Sequence, residues 1–221
     1  QLVNAVMYRL LHLFVRVEAE ELEQIPANGP LLLITNHINF LEGPIVYTQL
    51  QHIQKRSLTG FAKIEFWDNP FTAFLFDTWD TIPLKRDEAD LNAIKKAVAR
   101  IKAGDIFAMS PEGTRSYDAK LLRAHSGIAM LGYMSGAPIL PFVGYGHENY
   151  ASDYKHFRRP TYQVKLGKQF RLDSGGKRVK AEMRQEMADE IMYQMALLLP
   201  KKYRGEYADL SQATTKYLNF D

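Results

Sequence analysis

Cysteine is absent from the 221-residue chain. That excludes disulfides, thiolate-bound metal and a cysteine nucleophile, and it fits a reducing compartment. Also missing is any uninterrupted apolar run of the ~18 residues that mark a membrane-spanning helix. The nearest approach, at the N-terminus, is broken by Arg9, His12 and Arg16, and it has no small-residue cleavage pattern of a signal peptide. The chain opens at Gln1 rather than Met, which leaves a trimmed upstream segment open. Charge imbalance is small: the formal net charge is +3, with 28 Lys and Arg mixed among 25 Asp and Glu. A dedicated nucleic-acid binder would carry a basic stripe, so no nucleic-acid partner is expected. There is no internal repeat and no low-complexity tract. What remains is an ordinary globular composition, 46% hydrophobic and 24% charged, on a chain long enough for one sizeable core.

Residues 2–15 read as a helix. Gln1, Asn4, Arg9, His12 and Arg16 fall in a polar sector of roughly 140°, and Leu, Val, Met and Phe fill the remainder. Such a helix either docks on the body of the protein or lies in a membrane interface with its cations at headgroup level. Beyond it, strand-like and helix-like segments alternate. Strands are expected at 14–19, 31–35, 57–62, 78–84, 106–109, 138–145 and 161–166, and helices at 43–54, 87–102, 124–135 and 179–199. In the second of these helices Asp87 is the expected cap, and Pro200 ends the last. Strands separated by helices predict an α/β fold: a single domain with a mostly parallel central sheet flanked by helices, plus the N-terminal amphipathic helix.

Two clusters could carry chemistry. Asn36-His37-Ile38-Asn39-Phe40-Leu41-Glu42 follows the 31–35 strand directly, and ligands of open α/β sheets sit at the carboxyl ends of strands. Histidine can take a proton near neutral pH, and a carboxylate on its far ring nitrogen fixes the tautomer. His37 and Glu42 would point ~140° apart on a regular helix, so their pairing requires a turn, and Gly43-Pro44 lets a helix begin just after one. A loop histidine bonded to backbone is the plain alternative. The second cluster, Ser110-Pro111-Glu112-Gly113-Thr114-Arg115-Ser116, also follows a short strand. Gly113 permits close backbone approach, amides there could meet an oxyanion, and Arg115 offers a fork suited to phosphate. Its plain alternative is a tight turn with a surface ion pair. His147, Glu148 and His156 lack the spacing of a metal site, and none is expected.

Taken together, the clusters resemble the first and third blocks of the glycerol-phosphate and lysophosphatidate acyltransferase family, NHxxxxD and FPEGTRS, here NHINFLE and SPEGTRS. The resemblance extends to Ala62-Lys63-Ile64-Glu65, to Ile82-Pro83-Leu84-Lys85-Arg86 and to Ala137-Pro138-Ile139-Leu140-Pro141-Phe142-Val143, in order over residues 26–145. Glu42 stands where the family has Asp, and Ser110 where it has Phe.

The resemblance implies an O-acyltransferase that moves a fatty acyl group from acyl-CoA or acyl carrier protein to the hydroxyl of 1-acylglycerol-3-phosphate or a related lysophospholipid, with no cofactor. His37 would be the base, Glu42 its orienting acid and Gly113 the oxyanion donor. Asn36, Lys63, Arg86, Glu112, Thr114 and Arg115 would form the substrate-binding set, with Lys63, Arg86 and Arg115 as phosphate clamp. Residues 1–17 would be the N-terminal helix and 18–221 the acyltransferase domain, held peripherally or monotopically at the cytoplasmic face of a membrane. The aromatic stretch Phe66, Trp67, Phe71, Phe74, Phe76 and Trp79 is expected to pack in the core, with an acyl tunnel or bilayer-facing patch as the alternative. Acylation of another lipid hydroxyl, hydrolysis of the thioester, and a lipid-binding module without catalysis are the competing functions.

Overall fold

The computed structural model describes residues 2–54, 56, 58–85 and 90–220. Its first part runs α1 (Leu2–Phe14), β1 (Arg16–Glu18), β2 (Leu31–Thr35), α2 (Glu42–Gln54), β3 (Leu58–Lys63), α3 (Pro70–Thr78) and β4 (Ile82–Leu84). Then follow α4 (Leu91–Lys102), β5 (Ile106–Met109), α5 (Gly127–Ser135), β6 (Ile139–Tyr145) and α6 (Tyr150–Lys155). The chain closes with β7 (Thr161–Leu166), β8 (Phe170–Leu172), α7 (Ala181–Leu198) and β9 (Leu218–Phe220).

β2 is the axis of the molecule. Its sequence LLLIT is apolar almost throughout, as suits a parallel strand covered on both faces. Successive side chains leave a strand on opposite sides, so Leu31 and Leu33 enter a core with Ile45, Val46 and Leu50 of α2. Leu32 and Ile34 enter the other core, with Ala97 and Ile101 of α4, Ile128 of α5 and Ile191 of α7. The strand order is β1-β7-β6-β2-β5-β3-β4, with β8 beside β6 and β9 beside β8. Strands β6, β2, β5, β3 and β4 all run parallel, and antiparallel pairing is confined to β6–β7, β6–β8 and β8–β9. The carboxyl ends of β2, β5, β3, β4 and β6 therefore lie at one edge of the sheet, which is the site's edge. The expected fold class is the one observed.

Some local expectations are corrected. Residues 78–84 are not one strand: α3 occupies Pro70–Thr78 and the strand is confined to Ile82–Leu84. The cause is local, since the Asn69 side chain accepts from the Phe71 and Thr72 amides and Pro70 sits in the first turn. The helix before β5 starts later than expected, capped by Asp90, whose side chain accepts from the Ala93 amide at 2.9 Å. Asp87, like Arg86, lies outside the described residues. The aromatic stretch packs in part: Trp79 is buried, Phe66 stacks on Phe76, and Phe71 and Phe74 stay 69% and 55% exposed.

α1 lies on α2, with Asn4, Tyr8 and His12 turned inward and Arg9 left exposed. Tyr8 stacks on His52 at 4.2 Å, Gln49 Nε2 donates to His12 Nε2 at 2.9 Å, and Trp79 Nε1 donates to Asn4 Oδ1 at 3.3 Å. Leu2, Val6, Leu10 and Leu13, spaced along one face, point to solvent. Among the described residues no helix is long and apolar enough to cross a membrane.

Candidate active site

Where β2 ends, Asn36 is buried and clamped to β6. Its Nδ2 donates to the Gly144 carbonyl and its Oδ1 accepts from the Gly144 amide, both at 2.9 Å. Buried and engaged at both ends of its amide by the backbone of β6, Asn36 holds β2 to β6, a structural part in place of the substrate-binding one expected of it. The next residue, His37, is half-buried. Its Nδ1 stands 2.8 Å from Glu42 Oε2. A carboxylate accepts only, so Nδ1 carries the proton and Nε2 presents its lone pair. No protein atom bonds Nε2 among the described residues.

The turn that the pairing requires is built from the carboxylate itself. Both oxygens of Glu42 accept from the Ile38 amide, at 2.8 and 2.9 Å. Asn39 Oδ1 accepts from the Leu41 amide at 2.9 Å, reversing the chain just before α2. Glu42 opens that helix, where the helix dipole favours an anion.

The third block closes on the first. The Ser116 amide donates to the His37 carbonyl at 2.7 Å. Glu112 is buried, its Oε1 accepting from the His37 amide at 3.1 Å and its Oε2 from the Leu122 amide at 2.9 Å. Both oxygens are thus occupied by backbone, and Glu112 is a brace rather than the substrate-binding group expected. Burial, with a smaller push from the charge of Glu42, raises its carboxyl to about 7 against the opposing pull of the two amides.

Gly113 also departs from expectation. Its amide donates to the Ser110 carbonyl at 3.2 Å and closes the turn, so it is not free for an oxyanion. What the site needs from Gly113 is its shape: φ is +66°, and a Cβ there would sit 2.8 Å from His125 Cδ2. Among the described residues the amides of Thr114 and Arg115 have no protein acceptor, and Thr114 is exposed.

The three cations of the expected clamp differ in state. Lys63, at the end of β3, is ion-paired to Glu65 at 2.7 Å. Arg86 lies outside the described residues. Arg115 spreads its guanidinium 3.9 Å over the ring of Phe40 and 5.3 Å from that of Tyr117, whose hydroxyl accepts from its Nη2 at 3.3 Å. The aromatic cradle of Arg115 has no signal in either motif alone, because Phe40 belongs to the first block and Arg115 to the third.

His147, Glu148 and His156 turn to separate partners. His147 faces Glu42 at 3.2 Å, Glu148 accepts from the Tyr203 hydroxyl at 2.6 Å, and His156 Nδ1 donates to the Ser152 carbonyl at 2.8 Å. No group of three such residues among those described could hold a metal ion.

An imidazole oriented by a carboxylate stands at the carboxyl edge of a parallel sheet, with a Gly-turn and an arginine at its rim, an arrangement that can take a proton from a bound hydroxyl. Residues 16–144 match the family described as Acyltransferase, and the chain belongs to that family. Two curated relatives align over 133 residues at 26% identity, covering 59% of this chain. They are the chloroplastic 1-acyl-sn-glycerol-3-phosphate acyltransferases BAT2 of Brassica napus and LPAT1 of Arabidopsis thaliana. The aligned part is 37% and 36% of their respective lengths, so the chain matches little more than a third of either. The fold is that of the 1-acyl-sn-glycerophosphate acyltransferase PlsC of Thermotoga maritima, with a TM-score of 0.61 and 21% identity over 86% of this chain and 75% of that one.

Proposed function

We propose that this protein acylates the free hydroxyl of a lysophospholipid, with 1-acylglycerol-3-phosphate as the acceptor and an acyl thioester as the donor. The observation that carries this reading is the His37 ring, fixed by Glu42 with its Nε2 lone pair unengaged. In the reaction the acceptor hydroxyl gives its proton to His37 Nε2 while its oxygen attacks the thioester carbonyl carbon. The resulting oxyanion draws on the unengaged amides of Thr114 and Arg115. As the carbon–sulfur bond breaks, the imidazolium returns the proton to the leaving thiolate. No serine or cysteine nucleophile takes part, because the acceptor is itself the attacking group. Base assistance of this kind contributes about 10²–10⁴-fold. Arg115, held flat by Phe40 at an exposed rim, is the cation best placed for the acceptor phosphate, with Lys63 and Arg86 as further members of the clamp.

Residence at a membrane surface, on its cytoplasmic face, belongs to the same reading. The outward stripe of α1 supports it, with Phe71, Phe74 and Phe157 exposed elsewhere. Phe157 is fully exposed in left-handed backbone at φ 56°, and Lys155, Arg158 and Arg159 flank it. A groove of about 630 Å³ lies between the end of α1 and residues 154–159, lined mainly by Leu11, Leu13, Phe14, Tyr154 and Phe157, with Leu41 joining it from the loop that carries His37.

The test is an assay of the purified protein with lysophosphatidate, a series of acyl-CoAs and acyl carrier protein thioesters. Formation of phosphatidate is the expected result, and the donor that supports it distinguishes the two thioesters. Free fatty acid as the sole product, released equally without lysophosphatidate, would replace transfer by hydrolysis.

A further inference from the structure

His147 lies just beyond the end of β6 and is fully buried. Its Nε2 is 3.2 Å from Glu42 Oε1, the carboxylate oxygen that His37 does not use. The approach is off the line of a hydrogen bond, and neither ring nitrogen of His147 has another partner. An imidazole stripped of water with both nitrogens otherwise unmet is costly, so its placement calls for a compensating role. The surroundings hold it there. Its carbonyl accepts from Asn39 Nδ2 at 3.3 Å and from the Tyr150 amide at 3.2 Å. Its ring meets that of Tyr162 edge-on with centroids 4.6 Å apart. Tyr162 fits because residue 144 is glycine: a Cβ there would fall 2.2 Å from the Tyr162 hydroxyl oxygen.

The charges around Glu42 say what the ring supplies. Its carboxylate is buried, and its donors are one shared amide, from Ile38, and His37 Nδ1. The other titratable groups acting on it are Glu112 on the third-block turn, Tyr162 on β7 and His147. Glu112 and Glu42 repel each other. Tyr162 stays a neutral phenol, pushed well above its ordinary value by burial and by the charge of Glu42. On the Oε1 side, His147 Nε2 is the side-chain group placed to donate.

We propose that His147 is a positioning residue for the His37–Glu42 pair. In its Nε2–H form it supports Glu42 Oε1, which keeps Oε2 directed at His37 Nδ1 and leaves His37 Nε2 facing the substrate. The proposal rests on the reading of His37 as the base.

Nitrogen-15 NMR of the histidine rings in the unaltered protein tests the geometry without any assay. The expected tautomers are Nε2–H for His147 and Nδ1–H for His37. A His147 protonated on Nδ1 instead, with its Nε2 lone pair toward the carboxylate, overturns the proposal whether or not acyl groups are transferred. Two variants test the consequence. His147→Phe keeps the bulk and removes the donor, and His147→Gln keeps a donor. The Phe variant is expected to lose about 10- to 100-fold in kcat and to move the acid limb of its pH–rate profile down by about one pH unit, since a carboxylate no longer directed at Nδ1 supports an imidazolium less. The Gln variant should recover most of both. Superimposable profiles for all three proteins overturn the proposal. An unaltered protein with the stated tautomers that forms no acylated product upholds the positioning geometry and removes the acyl-transfer reading.

Discussion

The backbone amide of His37 donates to the Glu112 carboxylate at 3.1 Å. The carbonyl of the same residue accepts from the Ser116 amide, and its ring is held by Glu42. Backbone and ring of the proposed base are therefore fixed by separate partners from two distant stretches of chain. Each contact can be removed singly, and the consequences differ.

Replacing the ring removes the base and leaves the braces. His37→Ala should lower kcat by about 10²–10⁴-fold with circular dichroism and melting temperature nearly unchanged, since the side chain is half-exposed and the backbone contacts survive. Turnover near that of the unaltered protein would remove His37 from the mechanism.

Glu42→Gln keeps the volume but puts an amide nitrogen among donors. One of His37 Nδ1–H or Ile38 N–H would then face another donor, and the ring would lose its fixed tautomer. A fall in kcat of about 10²-fold or more is expected. KM for the acceptor should hold steady, because the carboxylate is buried and touches no substrate. Steady-state kinetics at saturating donor separates the two parameters.

Glu112 links stability to pH. Its carboxyl is raised in the folded state to about 7 from an ordinary 4.5, so between those values the native protein binds more protons than the unfolded chain. The stabilisation from this group is complete below about pH 4.5 and is lost as pH rises through about 7, at most about 3 kcal/mol. Urea unfolding at pH 5 and pH 8 should show that slope. In Glu112→Gln the slope should be absent and the protein weaker at pH 5 by about 1–3 kcal/mol, because one of the His37 and Leu122 amides loses its acceptor.

Gly113→Ala places a methyl against the His125 ring and forces a side chain onto left-handed backbone. A loss of about 1–3 kcal/mol in stability is expected, with a larger relative loss of activity as the turn carrying the Thr114 and Arg115 amides shifts. Thermal unfolding and kcat measured on one preparation show whether the two losses separate.

Charge on the outward stripe of α1 should release the protein from membranes. In Val6→Asp combined with Leu10→Asp, flotation with anionic vesicles should drop about tenfold or more, while turnover of a short-chain, fully soluble lysophosphatidate should be retained. Unchanged flotation would move the docking surface elsewhere, and Phe157 would be the next residue to alter.

Contiguous signals were readable in the chain, and long-range ones were not. β2 and β5 lie where their apolar runs put them, because a short apolar run between turn residues has few other ways to be buried, and β7 lies where the alternation of Tyr162, Val164 and Leu166 with polar neighbours puts it. His37 and Glu42 were visible because the whole pair sits in one short loop. α3 is not legible in the sequence because Phe and Thr crowd it, so no apolar period stands out against a polar face. β8 and β9 are too short to show any period. The resemblance implies ligand contacts for Asn36 and Glu112, whereas their partners, Gly144 and the amides of His37 and Leu122, are set by tertiary packing that no motif states. The contact of His147 with Glu42 depends on β6 lying directly beside β2, which the order of elements along the chain does not state.

Arg115, Phe40, Tyr117 and Thr114 sit at the exposed rim of the site, and few other contacts depend on them. In the proposed reaction, substitutions there would retune which lipid head is accepted without disturbing the His37–Glu42 pair. A change of substrate, whether drawn from natural drift or from a mutant library, is thus expected to concentrate at these few rim side chains, leaving the interior pair and its braces as they are.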